Sequence, residues 1–146
     1  MSRAVIKFPG MLQLSEVAAD AASGAFEWNG RRYETGSVVL DAPVSGTIYG
    51  TLLNYKGSLA ALGEAMNAPP YQRPPEAPIL YIKPANTVIG NMMAIPAPDG
   101  VKYLEAGAAL GIVIGRAAFR VRQAQAMEYV AGYTIANDVS IPHSSY

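Results

Sequence analysis

The segment between residues 68 and 78 constrains the fold more than any other, because five of its positions are proline. Proline fixes the backbone φ angle and has no N–H to donate, so this segment can form neither a helix nor a central strand. We therefore expect an ordered loop or a mobile flap that interrupts the regular elements. The prolines are Pro69, Pro70, Pro74, Pro75 and Pro78.

Short apolar runs on both sides of this loop are rich in residues that favour strands. They predict strands at 37–40, 46–55, 79–83, 108–114 and 132–137. The 46–55 run is typical of a buried strand, and the 108–114 run predicts a strand buried on at least one face. Asn29-Gly30, between two runs that contain aromatic residues, predicts a β-hairpin.

Three segments predict short helices. They lie at 14–22, 59–66 and 123–130. Ser15 and Ser58 are candidate N-caps for the first two, since a serine hydroxyl can accept a hydrogen bond from a free backbone N–H. Many short strands with a few brief helices predict a mainly β architecture, and 146 residues leave room for one domain.

The composition excludes several functional classes. Lys plus Arg and Asp plus Glu both total 11, so the basic excess that is typical of a nucleic-acid binder is absent. The chain contains no cysteine, which excludes disulfides and a cysteine nucleophile and fits a cytoplasmic protein. No signal sequence and no apolar run of about 18 residues is present, so we expect no membrane association.

Three segments carry a resemblance to a known family. The first is Leu-Asn-Tyr at 53–55, followed by the predicted helix, and the second is the run at 80–90 that contains Lys83-Pro84. The third combines 111–116 with 126–138 and keeps strand, helix and strand in order over about 28 positions. Together they resemble the fumarylacetoacetate hydrolase family.

The resemblance implies a β-roll of the fumarylacetoacetate hydrolase type over residues 46–146, incomplete at its C-terminus. A small N-terminal β appendage would occupy residues 1–45. Within the family, the Ala-Asn-Asp-Val-Ser-Ile-Pro run at 136–142 is most similar to the first half of two-part isomerase/decarboxylases of homoprotocatechuate (4-hydroxyphenylacetate) degradation. The chain is therefore expected to pair with a homologous subunit or to form a homo-oligomer.

This subfamily implies enzymatic chemistry on a small dicarboxylate or oxo-acid. The reactions would be isomerisation of 2-hydroxyhepta-2,4-dienedioate and decarboxylation of 5-oxopent-3-ene-1,2,5-tricarboxylate. In the family, magnesium or manganese chelates the substrate and stabilises enolate charge. Two alternatives remain open: a non-catalytic companion of a metal-bearing homologue, and an acylpyruvate-type C–C hydrolase, since a fold does not fix a reaction.

The family's metal ligands are two Glu at i and i+2 on one strand and an Asp after a later strand. Those positions fall on Gly107, Ala109 and Asp138, and only Asp138 keeps a carboxylate. The resemblance thus implies a degenerate metal site, and we expect this chain alone to bind neither magnesium nor manganese. Asp138 is either a relic ligand or, with Asn137, the cap of a strand-to-loop turn.

Other candidate residues have two interpretations each. Glu105 lies on the same predicted strand face as Gly107, about 6.6 Å along the strand; a bulge could bring it near Asp138, or it is a solvated strand end. Lys83 either approaches an anionic substrate beneath the proline-rich flap or is an exposed strand end. His143 is a candidate base or a surface residue. The family's His and Glu fall on Ser58 and Ala61.

Overall fold

The computed structural model describes residues 1–142, and the chain divides into two compact units, Met1–Met93 and Ala94–Tyr146. The mainly β prediction with short helices is confirmed. Within the described residues, no helix is both long and apolar enough to cross a membrane.

The first unit begins with a four-stranded antiparallel meander. Its strands, in spatial and chain order, are β1 (Ser2–Ile6), β2 (Ser15–Asp20), β3 (Ala25–Trp28) and β4 (Arg31–Glu34). The predicted hairpin is confirmed: Asn29 and Gly30 have φ angles of 51° and 72° and connect β3 to β4. Positive φ at both central positions is what a tight two-residue hairpin turn requires.

The helix predicted at 14–22 with a Ser15 cap is wrong, because residues 15–20 form β2. β2 pairs with a strand on each side and buries Val17 against the core. These tertiary contacts override a weak helical preference. Asp20 then ends the strand by accepting hydrogen bonds from the Ala22 N–H (3.1 Å) and the Ser23 hydroxyl (2.7 Å).

One face of the meander carries the hydrophobic core of this unit. The core cluster consists of Ile6, Val17, Phe26 and Leu40, packed against Phe8, Trp28 and Tyr33 among others. Phe26 and Tyr33 stack with ring centroids 5.3 Å apart, and Phe8 lies 4.5 Å from Trp28. The strand predicted at 37–40 is wrong: a 3-10 turn occupies Thr35–Ser37, and only Leu40 forms an isolated bridge, to Asn91.

A two-stranded antiparallel sheet follows in the same unit, formed by β5 (Ile48–Leu52) and β6 (Ile79–Lys83). Between them lie α1 (Lys56–Leu62) and a 3-10 helix at Gly63–Asn67. The predicted Ser58 cap is wrong, since Tyr55 occupies the N-cap position of α1, without a side-chain capping hydrogen bond, and Ser58 lies within the helix. The proline-rich segment at 68–78 is neither helix nor strand, as predicted.

The second unit contains one long antiparallel pair, β7 (Glu105–Ile114) and β8 (Val130–Ser140). A 3-10 helix at Gln123–Tyr129 comes directly before β8. Both strands extend beyond the ranges predicted from the sequence. The predicted burial is wrong for β5 and for β7, whose residues are exposed or half-buried throughout. Apolar strands are normally buried by a packed second layer, and residues 94–142 contain no buried hydrophobic residue.

Candidate functional site

The register of β7 and β8 brings onto one face the positions that the resemblance assigned to the family's metal ligands. Gly107 pairs directly with Asp138, and Ala109 pairs with Ala136. Residues directly opposite each other in an antiparallel pair project to the same side of the sheet. We call this side the small face: Glu105, Gly107, Ala109, Gly111 and Val113 of β7, with Gly132, Thr134, Ala136, Asp138 and Ser140 of β8.

Asp138 is half-buried and lies within β8, two residues before the strand ends. Its Oδ1 atom is buried and accepts no hydrogen bond from residues 1–142, while Asp138 makes other interactions. The interpretation of Asn137-Asp138 as the cap of a strand-to-loop turn is wrong, because β8 continues past both residues. Asp138 therefore presents its carboxylate from a regular strand.

Glu105 begins β7 on the same face and pairs with Ser140. It is the diagonal neighbour of Asp138, and such Cα atoms lie about 7–8 Å apart. No bulge is needed to place the two acidic residues together: the register shift between β7 and β8 lies far away, at Val113/Ile114. The small face thus holds two acidic side chains at one end.

The positions between these acids are open rather than filled. A Cβ added at Gly107 would meet nothing closer than the Asp138 backbone oxygen at 3.6 Å, which is an ordinary van der Waals contact. The backbone could therefore carry a side chain at position 107, and steric crowding does not require glycine there. Gly111 differs, because an added Cβ would lie 2.8 Å from Thr134 Cγ2.

The donors present do not fit the family's metal. Magnesium takes near-octahedral oxygen coordination, which needs about six ligands. Gly107 and Ala109 supply no side-chain oxygen, and residues 1–142 contain no cluster of three or more His, Cys, Asp or Glu that could hold a metal ion. Asp138 with Glu105 falls short of such a cluster.

The remaining candidates lie elsewhere. Lys83 ends β6 opposite Ile48, is half-buried and makes contacts of its own; it belongs to the first unit and Asp138 to the second. Ser58 and Ala61 both lie on α1 and are exposed. His143 lies outside the described residues.

The arginines near the β7–β8 connection are engaged locally. Arg116 forms an ion pair with Glu128 (3.2 Å) and stacks over the Tyr129 ring at 4.2 Å. Arg122 donates a hydrogen bond to Gln125 (3.2 Å), and Arg120 lies 5.3 Å over the Phe119 ring. These contacts make them part of the turn structure.

The sequence interpretation missed the side of the β7–β8 sheet opposite the small face. Leu110 pairs with Ile135 and Ile112 with Tyr133, so these large side chains share one surface. Ile114, two residues along β7, belongs to the same side. The alternation of large apolar residues along each strand was the signal that could have identified this surface.

Comparisons with known proteins match this chain to one family. Residues 47–144 match the family described as fumarylacetoacetate (FAA) hydrolase C-terminal. The chain is 45% identical over 103 residues to the 4-hydroxyphenylacetate degradation bifunctional isomerase/decarboxylase of Escherichia coli, which covers 70% of this chain and 24% of that protein. It is 36% identical over 87 residues to the mitochondrial oxaloacetate tautomerase fahd-1 of Caenorhabditis elegans (60% and 37% covered).

A solved structure of an uncharacterized protein from Mycobacterium abscessus has the same fold. The two superpose with a TM-score of 0.61 at 30% sequence identity, over 97% of this chain and 56% of the other. The chain therefore spans about a quarter of the E. coli relative and just over half of the M. abscessus protein.

Proposed function

The chain belongs to the fumarylacetoacetate hydrolase family, and we propose that it serves in cytoplasmic aromatic-acid catabolism as part of an isomerase/decarboxylase. The substrates would be 2-hydroxyhepta-2,4-dienedioate and 5-oxopent-3-ene-1,2,5-tricarboxylate. The observation that carries this proposal is the 45% identity to the E. coli isomerase/decarboxylase. Hydrolysis of an acylpyruvate-type C–C bond has weaker support, because the named relatives are an isomerase/decarboxylase and a tautomerase.

The charges on the small face limit what this chain does by itself. Asp138 and Glu105 are both acidic and share that face, and the proposed substrates are polycarboxylates. Like charges repel most strongly where water is excluded, so a substrate anion needs a cation beside it. The face supplies none, and its own donors do not fit a divalent metal.

We therefore propose that this chain acts as a companion of a metal-bearing homologue. In that role Asp138 and the small residues beside it would form one wall of a shared site. Lys83, a half-buried cation next to Pro84, would contact a substrate carboxylate. The open space over Gly107 would admit a substrate or a partner's side chain closely.

Restoring the two missing carboxylates tests this proposal. The variant Gly107→Glu/Ala109→Glu places Glu side chains beside Asp138 on one face, and the variant Gly107→Gln/Ala109→Gln is the matched control with the same shape and no charge. We expect calorimetry to show manganese binding, strengthened by oxalate, for the Glu variant alone. Micromolar manganese binding by the unaltered chain would contradict the companion role.

The reaction is tested separately. Loss of the dienol absorbance of 2-hydroxyhepta-2,4-dienedioate would be followed with the unaltered chain, with a metal-bearing homologue, and with both together. We expect no turnover by the chain alone and faster turnover by the mixture than by the homologue. Equal rates with and without this chain would contradict its part in the isomerase.

A further inference from the structure

The β5–β6 sheet carries a tyrosine whose ring lies across the neighbouring strand. Tyr81 on β6 pairs directly with Gly50 on β5. A Cβ built on Gly50 would lie 2.0 Å from Tyr81 Cζ and 2.3 Å from the Tyr81 hydroxyl oxygen. The hydroxyl end of the ring therefore occupies the space above Gly50 that the side chain of any other residue would fill.

Gly50 is needed for this position of the ring and not for the backbone of β5. Its φ angle is not among the positive ones, so an alanine could adopt the same backbone conformation. A glycine inside a strand often marks a place where another group approaches closely. A larger residue at position 50 would force the Tyr81 ring to move, so Gly50 fixes where the hydroxyl lies.

Lys83 lies on the same side of the sheet as Tyr81. The two residues are two positions apart on β6, so their side chains project to the same side. Both are half-buried, whereas Ile82 between them is 61% exposed. Lys83 pairs with Ile48, two residues before Gly50, so the Lys83 and Gly50 Cα atoms are diagonal neighbours, about 7–8 Å apart. The lysine side chain is long enough to bring its ammonium beside the hydroxyl above Gly50.

The surroundings of these two groups favour an anion. Lys83 is the only charged residue in β5 or β6, and the other side chains on this side are Ile48, Leu52 and Ile79. The hydroxyl and the ammonium can both donate hydrogen bonds, and a carboxylate has two oxygens that accept them. Hydrogen bonds to an ionised partner are stronger than neutral ones. The arrangement therefore suits a carboxylate better than a neutral amide or ester.

We propose that Tyr81 is a specificity-determining residue, which together with Lys83 binds one carboxylate of a dicarboxylate substrate, and that Gly50 is the positioning residue for the Tyr81 hydroxyl. This inference rests on the companion role proposed above. It extends the contact proposed for Lys83 alone to a subsite with two donors.

The first test titrates the full 146-residue chain with heptanedioate, a saturated dicarboxylate of the same length as the proposed dienedioate. Binding is followed by NMR, through the tyrosine ring signals and the backbone amide signals of β6. The ring signal that is missing from Tyr81→Phe identifies Tyr81. We expect heptanedioate to shift that signal and heptanediamide, which is uncharged, to leave it in place. Tyr81→Phe and Lys83→Met should each weaken heptanedioate binding about tenfold.

Two control variants should bind heptanedioate as the unaltered chain does. Tyr49→Phe removes a hydroxyl from the opposite side of the same sheet, where Tyr49 is 64% exposed. Gly36→Ala adds a methyl group where nothing lies within 4 Å. Circular dichroism of each free variant checks that it is folded.

Gly50→Ala tests the positioning role. It keeps both donors and moves the ring, so it should weaken heptanedioate binding about tenfold in the unaltered chain. In the Tyr81→Phe background the same substitution should have little further effect, because the hydroxyl through which Gly50 acts is already missing. An equal loss in both backgrounds would contradict the positioning role.

A second measurement uses turnover by the mixture with a metal-bearing homologue. Tyr81→Phe should raise KM for 2-hydroxyhepta-2,4-dienedioate and leave kcat unchanged, because the subsite holds a carboxylate that does not react in the isomerisation. An unchanged KM in a mixture that turns over faster than the homologue would refute the subsite and leave the proposed reaction standing.

Three binding results would overturn the inference: a Tyr81 signal that heptanedioate does not shift up to its solubility limit, equal heptanedioate binding by Tyr81→Phe, or the same response to heptanediamide. None of these readouts uses turnover. Heptanedioate binding that depends on Tyr81, in a chain that does not accelerate the homologue, would refute the proposed reaction and leave the carboxylate subsite standing.

Discussion

The N-terminal meander and the β7–β8 pair are both antiparallel sheets, yet they bury very different amounts of apolar surface. The meander uses strands of four to six residues and encloses Ile6, Val17 and Phe26. The β7–β8 pair has strands of 10 and 11 residues and buries no hydrophobic residue. Length and pairing therefore do not make a core.

The difference lies in the layer above each sheet. In the meander, the segment after β4 returns over the sheet and places Leu40 on the core, held by the Asp41 N–H bonded to the Lys7 oxygen (2.8 Å) and by the Leu40 N–H bonded to the Asn91 oxygen (3.3 Å). Among residues 94–142 no segment does the same for β7–β8. A sheet of this kind is stable as a domain only when its apolar face is covered.

Truncating one large apolar side chain in each sheet gives the largest expected contrast. Phe26→Ala should lower the free energy of unfolding of the first unit by about 3–5 kcal/mol, because Phe26 is buried and stacked on Tyr33. Ile135→Ala should change stability by less than about 0.5 kcal/mol, since that side chain is exposed.

Urea denaturation followed by Trp28 fluorescence measures the first variant, and amide exchange in β8 measures the second. A loss of more than about 2 kcal/mol in the free energy of unfolding for Ile135→Ala would show that this side of the β7–β8 sheet is already covered. That result would contradict the difference in burial between the two sheets.

Glycine substitutions should give a smaller contrast. Gly30 has φ of 72° in the β3–β4 turn, so Gly30→Ala forces a side chain into the left-handed region at a cost of about 1–2 kcal/mol. Gly132 in β8 has ordinary φ, and an added Cβ meets nothing within 4 Å. Gly132→Ala should therefore be neutral or slightly stabilising. Thermal unfolding of both variants, monitored by circular dichroism, would reveal a reversed order if the turn does not direct the meander.

The smallest expected effect is a pH dependence confined to the first unit. The hydrogen bond with the Lys7 ammonium (2.7 Å) lowers the pKa of Asp41 below the ordinary value of an aspartate, and the Ala42 N–H lowers it further. The pKa of Asp41 is lower in the folded than in the unfolded chain. Asp41 therefore stabilises the fold fully above the unfolded pKa, and this stability is lost as pH falls through the folded pKa.

Asp41→Asn should flatten the loss of thermal stability between neutral and acid pH, read through Trp28 fluorescence. Asp99→Asn, in the loop before β7, is the matched control and should behave as the unaltered chain. If Asp41→Asn loses stability on acidification as steeply as the unaltered chain, the ion pair does not anchor the segment that covers the meander.

Local signals in the sequence account for much of the fold. Asn29-Gly30 predicted its hairpin because few dipeptides adopt positive φ twice, and the prolines at 68–78 excluded regular structure. The error at 14–22 arose because β2 pairs with β1 on one side and with β3 on the other, and a window of sequence does not contain those partners. The predicted burial of 108–114 failed for a related reason: burial depends on a covering layer, and the sequence of a strand does not reveal whether one is present.

The candidate site, too, was predicted only in part from the sequence. The resemblance identified Gly107, Ala109 and Asp138 as equivalent positions, but only the register of β7 and β8 shows that Gly107 lies directly across from Asp138. A bulge was one way in which Glu105 could approach Asp138, and the other interpretation was a solvated strand end. Regular pairing makes Glu105 the diagonal neighbour of Asp138 and leaves it exposed at the start of β7. Whether Lys83 contacts a substrate stays a prediction.

The bulge between β7 and β8 sets the register in which the two strands pair. Val113 pairs with Gly132 and Ile114 with Val130, so Ala131 is the extra residue, and the Gly115 N–H bonded to the Tyr129 oxygen (2.9 Å) fixes the closed end. The partner of every later residue of β8 follows from this bulge. Removing one residue of β8 between the bulge and Asp138 would shift the register by one residue. The Asp138 carboxylate would then project from the opposite side of the sheet, among the leucine and isoleucine side chains.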